Sequence, residues 1–491
     1  MECKSEEARR PEACTEAFAP IRSVDTLNRA RPDIEFLGVE PEPGPNHTVT
    51  VRLRVFSTQE AAKSANTDSR RSSGAFDLHL RLNGQLVARR PAIAATTALK
   101  QPMDAEWRDR SQLLSGSGST EVIIPGIRLP HRERAGEVEF SAYAFNNDRV
   151  KGPTRTRQYS VPAASGFHRR AFVVAIGSSA YEDKALDLRY PANDARKLID
   201  TVVPSLRATN RFTEVIPILL TSEWEGAVAD RRVIKAATTK ERIRQVLESV
   251  SGSARDPEVA YSPSTPDDTV IILFSGHGLN LAQEFYLVPY NSGPKSAEAS
   301  GRPILDPGKL VSSSDLAYWL RDLVADDVVL VIDACHSSAS VETADFKPGP
   351  MGARGFGQLA YDKGMRVLAS TRPNDLAWES QDKSQGLLSY ALLQEGLAER
   401  KADRRPSDGT ITMGEWLQYA VDRVPALYGE TSRSGALGAA RLVTFDPASR
   451  QAREVSVNGR QVQAKNQQPS AFSFRRGQDT TLSVPVTRRY Q

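Results

Sequence analysis

From about residue 33 to 161 the chain alternates apolar and polar positions in short runs. These are IEFLGV (34–39), TVTVRLRVF (48–56), FDLHLRLNGQLVARR (76–90), EVIIPGIRL (121–129), EVEFSAYAFNN (137–147) and RTRQYSVP (155–162). Period-two alternation sends successive side chains to opposite faces, so each run is predicted to be a half-buried strand. Asn83-Gly84, inside the third run, is a hairpin signal because both residue types tolerate positive φ. Short strands with no helix between them predict an all-β sandwich over 21–162. The polar segment 91–119, ending in SGSGS, reads as a long surface insertion, and VPAASG (161–166) reads as a linker.

Beyond the linker the period changes. AFVVAIG (171–177), TVIILFS (269–275) and DVVLVID (327–333) are continuous apolar runs of the kind buried on both faces. VIPILL (215–220) and MRVLAS (365–370) are further strands, and EFYLVPY (284–290) a side strand. Helical spacing marks 193–203, with Asn193 as N-cap and Asp194 in the first turn. It also marks KERIRQVLESV behind a Thr238/Glu241 capping box, SSDLAYWLRDL (313–323), LLSYALLQEGLAE (387–399), and EWLQYAVDRV capped by Thr412–Glu415. Strands alternating with helices predict an α/β domain over 168–450, a mainly parallel sheet flanked by helices. Ligands of such sheets sit outside the carboxyl ends of the strands. The polar tail 451–491 has weak strand character suited to a sheet edge.

Composition narrows the classes. At 491 residues the chain exceeds one core, and two or three domains are expected. The 64 basic and 60 acidic residues nearly cancel, which gives no footing for nucleic-acid binding. No apolar run is long enough for a membrane helix. Residues 1–20 read as a disordered tail without the apolar core of a signal peptide, so cytoplasmic residence is expected. The three cysteines, Cys3, Cys14 and Cys335, show no zinc-ligand or disulfide spacing, and no metal site is expected. Cys335 is therefore either an inert core thiol or a nucleophile.

Its neighbours decide between these. TVIILFS runs into Gly276-His277-Gly278, and DVVLVI runs into Asp333-Ala334-Cys335. In one parallel sheet both would emerge at the same edge. An imidazole beside a thiol can take its proton and return one to a leaving amine. The backbone amides of Gly278 and Cys335 are candidates for an oxyanion hole. His336, next in the chain to the thiol, points away from it and is assigned a structural role.

Strand–SGHG followed by strand–DACHS resembles the caspase clan, whose histidine stands about 50 residues upstream of its cysteine. FVVAIGSSAYEDKALDLRYPANDARKLID is similar to the first strand and helix of that fold, and GMRVLASTRPNDLAWES to the strand and substrate loop of its small subunit. The resemblance covers roughly 168–425 and implies a cysteine endopeptidase with a large-subunit part to about 340. An intersubunit loop over 337–364 and a small-subunit part after 365 follow. The N-terminal sandwich resembles an immunoglobulin-like domain.

True caspases carry Gln-Ala-Cys where this chain has Asp333-Ala334-Cys335, the metacaspase and paracaspase pattern. Asp333 shares a strand face with Cys335 and would hinder thiolate formation, so recognition of a basic substrate side chain is its better role. Asp194 matches the acid those relatives supply from the first helix, and Glu379 the third acid of paracaspases. The expectation is cleavage of protein substrates after Arg, with Lys weaker. Lys347, Arg354 and Lys363 in the 337–364 loop are the candidate sites of activating cleavage, by the enzyme itself or by an upstream protease. No cofactor is required; no EF-hand-type loop occurs, so calcium activation is not indicated. The competing readings are a catalytically silent scaffold, an amidase or glutaminase, and a β-domain that binds a regulator with the protease as its effector.

Overall fold

The computed structural model describes residues 27–44, 47–61, 70–92, 104–131, 134–163, 168–226, 232–256, 259–281, 284–293, 305–334, 356–371, 377–438, 441–446, 451–456 and 467–485. Two antiparallel sheets build the N-terminal domain. In one, Thr48–Ser57 lies between Asp33–Pro41 and Gly118–Arg128. In the other the order is Arg155–Val161, Gly136–Phe145, Ala75–Leu82, Gln85–Arg90. Val51, Leu53, Leu78, Leu80, Ile124 and Phe140 pack into one core shared by both sheets. Burial along Thr48–Ser57 alternates residue by residue, as its sequence predicts. Asn83 and Gly84 carry φ of 49° and 83°, the expected hairpin turn.

Ala75–Leu82 departs from expectation, because every one of its residues is buried. Its polar face carries Asp77, His79 and Arg81. Asp77 pairs with His79 at 3.1 Å and with Arg89 at 2.6 Å. Arg81 pairs with Asp362 of the following domain. The domain boundary thus covers a face that alternation alone assigns to solvent. The described residues of the 91–119 stretch pack onto the domain and are not only a surface insertion. Asp104–Ser111 is helical, Gln112–Leu114 pairs with Ala75–Leu82, and Trp107 is buried against Phe76 with ring centroids 5.7 Å apart.

The second domain is built on a seven-stranded sheet ordered Arg232–Ala236, Glu214–Glu225, Arg170–Ser178, Thr269–Ser275, Asp327–Asp333, Arg366–Ala369, Ser470–Ser473. The inner five strands are parallel and both edges antiparallel. On one face lie the helix Pro191–Ala208, the segment Leu387–Ala398 and the helix Met413–Arg433. On the other lie Lys240–Ser251, Ser313–Trp319 and Phe356–Lys363. Two helix starts shift from their predicted places. The first helix begins at Pro191, whose fixed φ suits the first helical position, with Tyr190 as N-cap; Asn193 lies inside it. Thr239, not Thr238, caps Lys240–Ser251, because Thr238 is buried and bonded to Ser178 and Ser222. The Thr412/Glu415 capping box stands as predicted.

The tail is part of this domain. Ser470–Ser473 forms the sheet edge beside Arg366–Ala369, and Thr481–Ser483 pairs with Ile411–Thr412. No helix of the described residues is long and apolar enough to cross a membrane.

Candidate active site

Strand register sets the geometry. Ser275 lies opposite Asp333 on adjacent parallel strands, and the Gly276 amide donates to the Asp333 carbonyl at 3.2 Å. His277 follows Ser275 by two residues, as Cys335 follows Asp333. The two chains leave the sheet side by side at its carboxyl edge. Cys335 itself lies outside the described residues, with His336, Lys347 and Arg354.

His277 is buried, and its ring packs against that of Tyr181 with centroids 5.3 Å apart. Its backbone amide donates to the Tyr181 hydroxyl at 3.2 Å, and its Nε2 stands 2.8 Å from the Leu186 carbonyl oxygen. A carbonyl can only accept, so Nε2 carries the proton and Nδ1 is the basic nitrogen. The Val288 amide donates to the His277 carbonyl at 3.1 Å, which makes this a bonded pair of the small antiparallel sheet. The next pair, Gly278 with Leu287, is then a non-bonded one. Its N–H and C=O groups point away from the partner strand, so the Gly278 amide is turned outward.

Just before Cys335, the Ala334 amide donates to Ser370 Oγ at 3.1 Å, and that hydroxyl donates to the Ala334 carbonyl at 2.9 Å. One side chain, just past the neighbouring strand, therefore fixes both backbone polar groups of the residue that leads to the thiol.

Three acids meet beside this edge. Gly177 lets the first helix approach, since a Cβ there would fall 2.2 Å from the Pro191 carbonyl oxygen. The close approach brings Asp194 down to the sheet, where it accepts from Ser275 Oγ at 3.1 Å and from the Gly386 amide at 3.2 Å. Asp333 accepts from Ser389 Oγ at 2.8 Å. Gly386 stands between the two: a Cβ on it would lie 2.8 Å from Asp333 Oδ2 and 3.2 Å from Asp194 Oδ2. Glu379 pairs with Gly386 across a short hairpin and accepts from the Tyr190 amide at 3.2 Å. The three sequence-predicted acids thus surround one glycine.

Their electrostatics match that crowding. Burial pushes the Asp333 carboxyl up to about 6 against the lowering effect of Ser389. Burial first, then the charges of Asp333 and Glu379, hold Asp194 well above the usual carboxylate range. Burial raises Glu379 to about 7, with Asp333 adding to the rise. Such a cluster is short of positive charge, and a cation placed among the three would relieve it.

Lys363 is the predicted site residue that the structure sets apart. The final part of the 337–364 stretch is the helix Phe356–Lys363, not a loop. Lys363 is buried and its ammonium donates to the Leu86 carbonyl at 2.9 Å. A scissile residue must be extended and accessible, so Lys363 is not a cleavage site. Tyr181, Ser275, Ser370 and Ser389 went unrecognised in the sequence. A lone hydroxyl residue carries no motif, and only register and packing bring these four to the site. Among the described residues no group of three or more His, Cys, Asp or Glu side chains could hold a metal ion.

A family model of the caspase domain, peptidase family C14, matches residues 170–425, more than half of the chain. The chain belongs to the caspase-domain family. No curated protein matches it. The matched segment of this caspase-domain protein includes His277, Cys335 and all three acids, and it supports a cysteine peptidase in general. It ends before the C-terminal strand that completes the sheet.

Proposed function

We propose that this caspase-domain protein is a cysteine endopeptidase that cuts proteins after arginine, with lysine accepted less well. The observation that carries this reading is the meeting of Asp194, Asp333 and Glu379 around Gly386, at the sheet edge where the Asp333 strand leads to Cys335. A guanidinium offers several donors in a fixed plane and pairs bidentately with carboxylates, so it suits a pocket walled by more than one of them. Lysine brings the same charge as a point and satisfies fewer oxygens.

In this reading His277 Nδ1 takes the Cys335 proton, and the thiolate attacks the carbonyl carbon of the bound arginine itself. The amides of Gly278 and Cys335 stabilise the oxyanion, and the imidazolium returns its proton to the leaving amine. Water then hydrolyses the thioester by the same route in reverse. Without substrate, a carboxylate beside the thiol disfavours the thiolate; an arginine in the pocket cancels that charge. The order of binding before attack is thereby favoured.

A peptide panel varied only at the residue before the scissile bond tests this. The expected order is Arg above Lys, with essentially no cleavage after Asp. A preference for Asp or for an apolar residue overturns it.

Activation belongs to the same proposal. Lys363 being buried in a helix, Arg354 is the favoured cut, because small flanking residues, Ala353 and Gly355, suit an extended backbone in a cleft; Lys347 is the second candidate. Intact mass before and after activation, compared with Cys335→Ala, reads the cut directly. Full activity in an uncut chain with Lys347 and Arg354 both replaced would sink it. The N-terminal sheets, an immunoglobulin-like sandwich in this reading, are the surface for a regulator.

A further inference from the structure

We propose that Gln467, in the tail beyond the family-matched segment, is a positioning residue that ties the nucleophile strand to the third acid of the pocket. The proposal rests on the peptidase reading above and adds to it a residue that no motif contains. Gln467 is fully buried. Its Oε1 accepts from the Trp378 amide at 3.0 Å, and its Nε2 donates to the Ser370 carbonyl at 3.3 Å.

Each partner leads straight to the site. The Ser370 hydroxyl holds both polar groups of Ala334, the residue before Cys335. The Ser370 amide donates to the Ile332 carbonyl at 2.9 Å, which fastens it to the nucleophile strand as well. Trp378 precedes Glu379, and its carbonyl accepts from the Leu387 amide at 3.0 Å. One buried amide therefore spans from the support of the nucleophile to the entrance of the Glu379–Ser380 strand.

Other residues cannot substitute easily. A primary amide presents one acceptor and one donor on the same plane, and the two backbone groups here are one donor and one acceptor. Removing the side chain would delete both of these hydrogen bonds at once. Gln467 reaches this position because Ser470–Ser473, just beyond it, is pinned along Arg366–Ala369 as the sheet edge. The tail thus does more than close the sheet. It sets the separation between the strand that carries Cys335 and the hairpin that carries Glu379 and Gly386.

Full-length Gln467→Ala and Gln467→Glu test this. Hydrogen exchange at the Trp378 amide should accelerate in Gln467→Ala, with protection along Thr269–Ser275 unchanged. Gln467→Glu keeps an acceptor for Trp378 but sets oxygen against the Ser370 carbonyl, so the Trp378 amide should stay protected. Gln467→Ala should raise KM for arginyl peptides about tenfold, the equivalent of one lost buried hydrogen bond, while kcat stays near wild type. Alkylation of Cys335 by a small neutral reagent should keep its rate. Unchanged Trp378 exchange and KM would overturn the proposal. So would loss of protection across the whole sheet, which marks general destabilisation. The exchange experiment needs no activity, so a wild-type chain that fails to cut arginyl peptides would count against the peptidase reading while leaving the Gln467 contact tested on its own.

Discussion

Replacing Cys335 with alanine is expected to abolish peptide cleavage, and replacing His277 with alanine to lower kcat by roughly 10²–10⁴, the usual worth of a positioned general base. Both variants should stay folded. His277 holds its strand end through backbone groups, its amide on Tyr181 and its carbonyl on Val288, and these survive in alanine. What alanine removes is the imidazole, whose tautomer is set by the Leu186 carbonyl. Tyr181→Phe is the informative companion, because it removes one hydrogen bond to the His277 backbone and leaves the ring packing. Its loss should be much smaller than that of His277→Ala. Initial rates on an arginyl peptide, with circular dichroism to check folding, read all three. Cleavage at the wild-type rate by Cys335→Ala would refute the assignment.

Asp333→Asn should cost on the order of 2–5 kcal/mol of transition-state stabilisation for an arginyl substrate, as when one partner of a desolvated charge pair is lost. Asp194→Asn should cost a similar amount. Glu379→Gln should cost less, because that carboxyl already accepts from the Tyr190 amide and the residue as a whole is half-buried. The same change should act oppositely on the unliganded fold. Asp333 and Glu379 have folded-state values near 6 and 7, above their ordinary values near 4. The folded state therefore holds protons that the unfolded chain has released between about pH 4 and 7. Stability contributed by these groups is present at the acid end and lost as pH rises through that window. Wild type should melt lower at pH 8 than at pH 5.5 from this source, and Asp333→Asn should flatten the difference. An arginine-mimicking inhibitor should restore melting temperature most at pH 8, while KM for arginyl peptides should fall as pH rises through 6 to 7. Melting curves and KM across pH 5 to 8 measure both arms. A pH-independent KM, or an Asp333→Asn variant that cuts arginyl peptides as fast as wild type, would remove the pocket from the mechanism.

The site was legible where chemistry and strand pattern coincide. Gly-His-Gly after one buried run and Asp-Ala-Cys after another mark a candidate edge, because central parallel strands must be apolar on both faces and their carboxyl ends are where polar residues can converge. Asn83-Gly84 and Thr412/Glu415 were equally readable, since a tight turn and a capping box are satisfied within a few residues. Errors of one to three residues at the Pro191 and Lys240 helix starts arose where several hydroxyl or amide residues competed for the cap and tertiary contacts claimed one of them.

By itself the sequence determined the β-rich N-terminal part, the five parallel strands of the α/β part with most of the helices between them, and which residues are candidates for peptide hydrolysis. Tertiary structure alone decided that Asp194, Asp333 and Glu379 share one glycine, that the polar face of Ala75–Leu82 is buried against the helix ending in Lys363, and that Gln467 from the distant tail reaches Ser370 and Trp378. Local patterns report which face of an element avoids water. They do not report which distant element covers it, because that depends on register and packing between segments far apart in the chain.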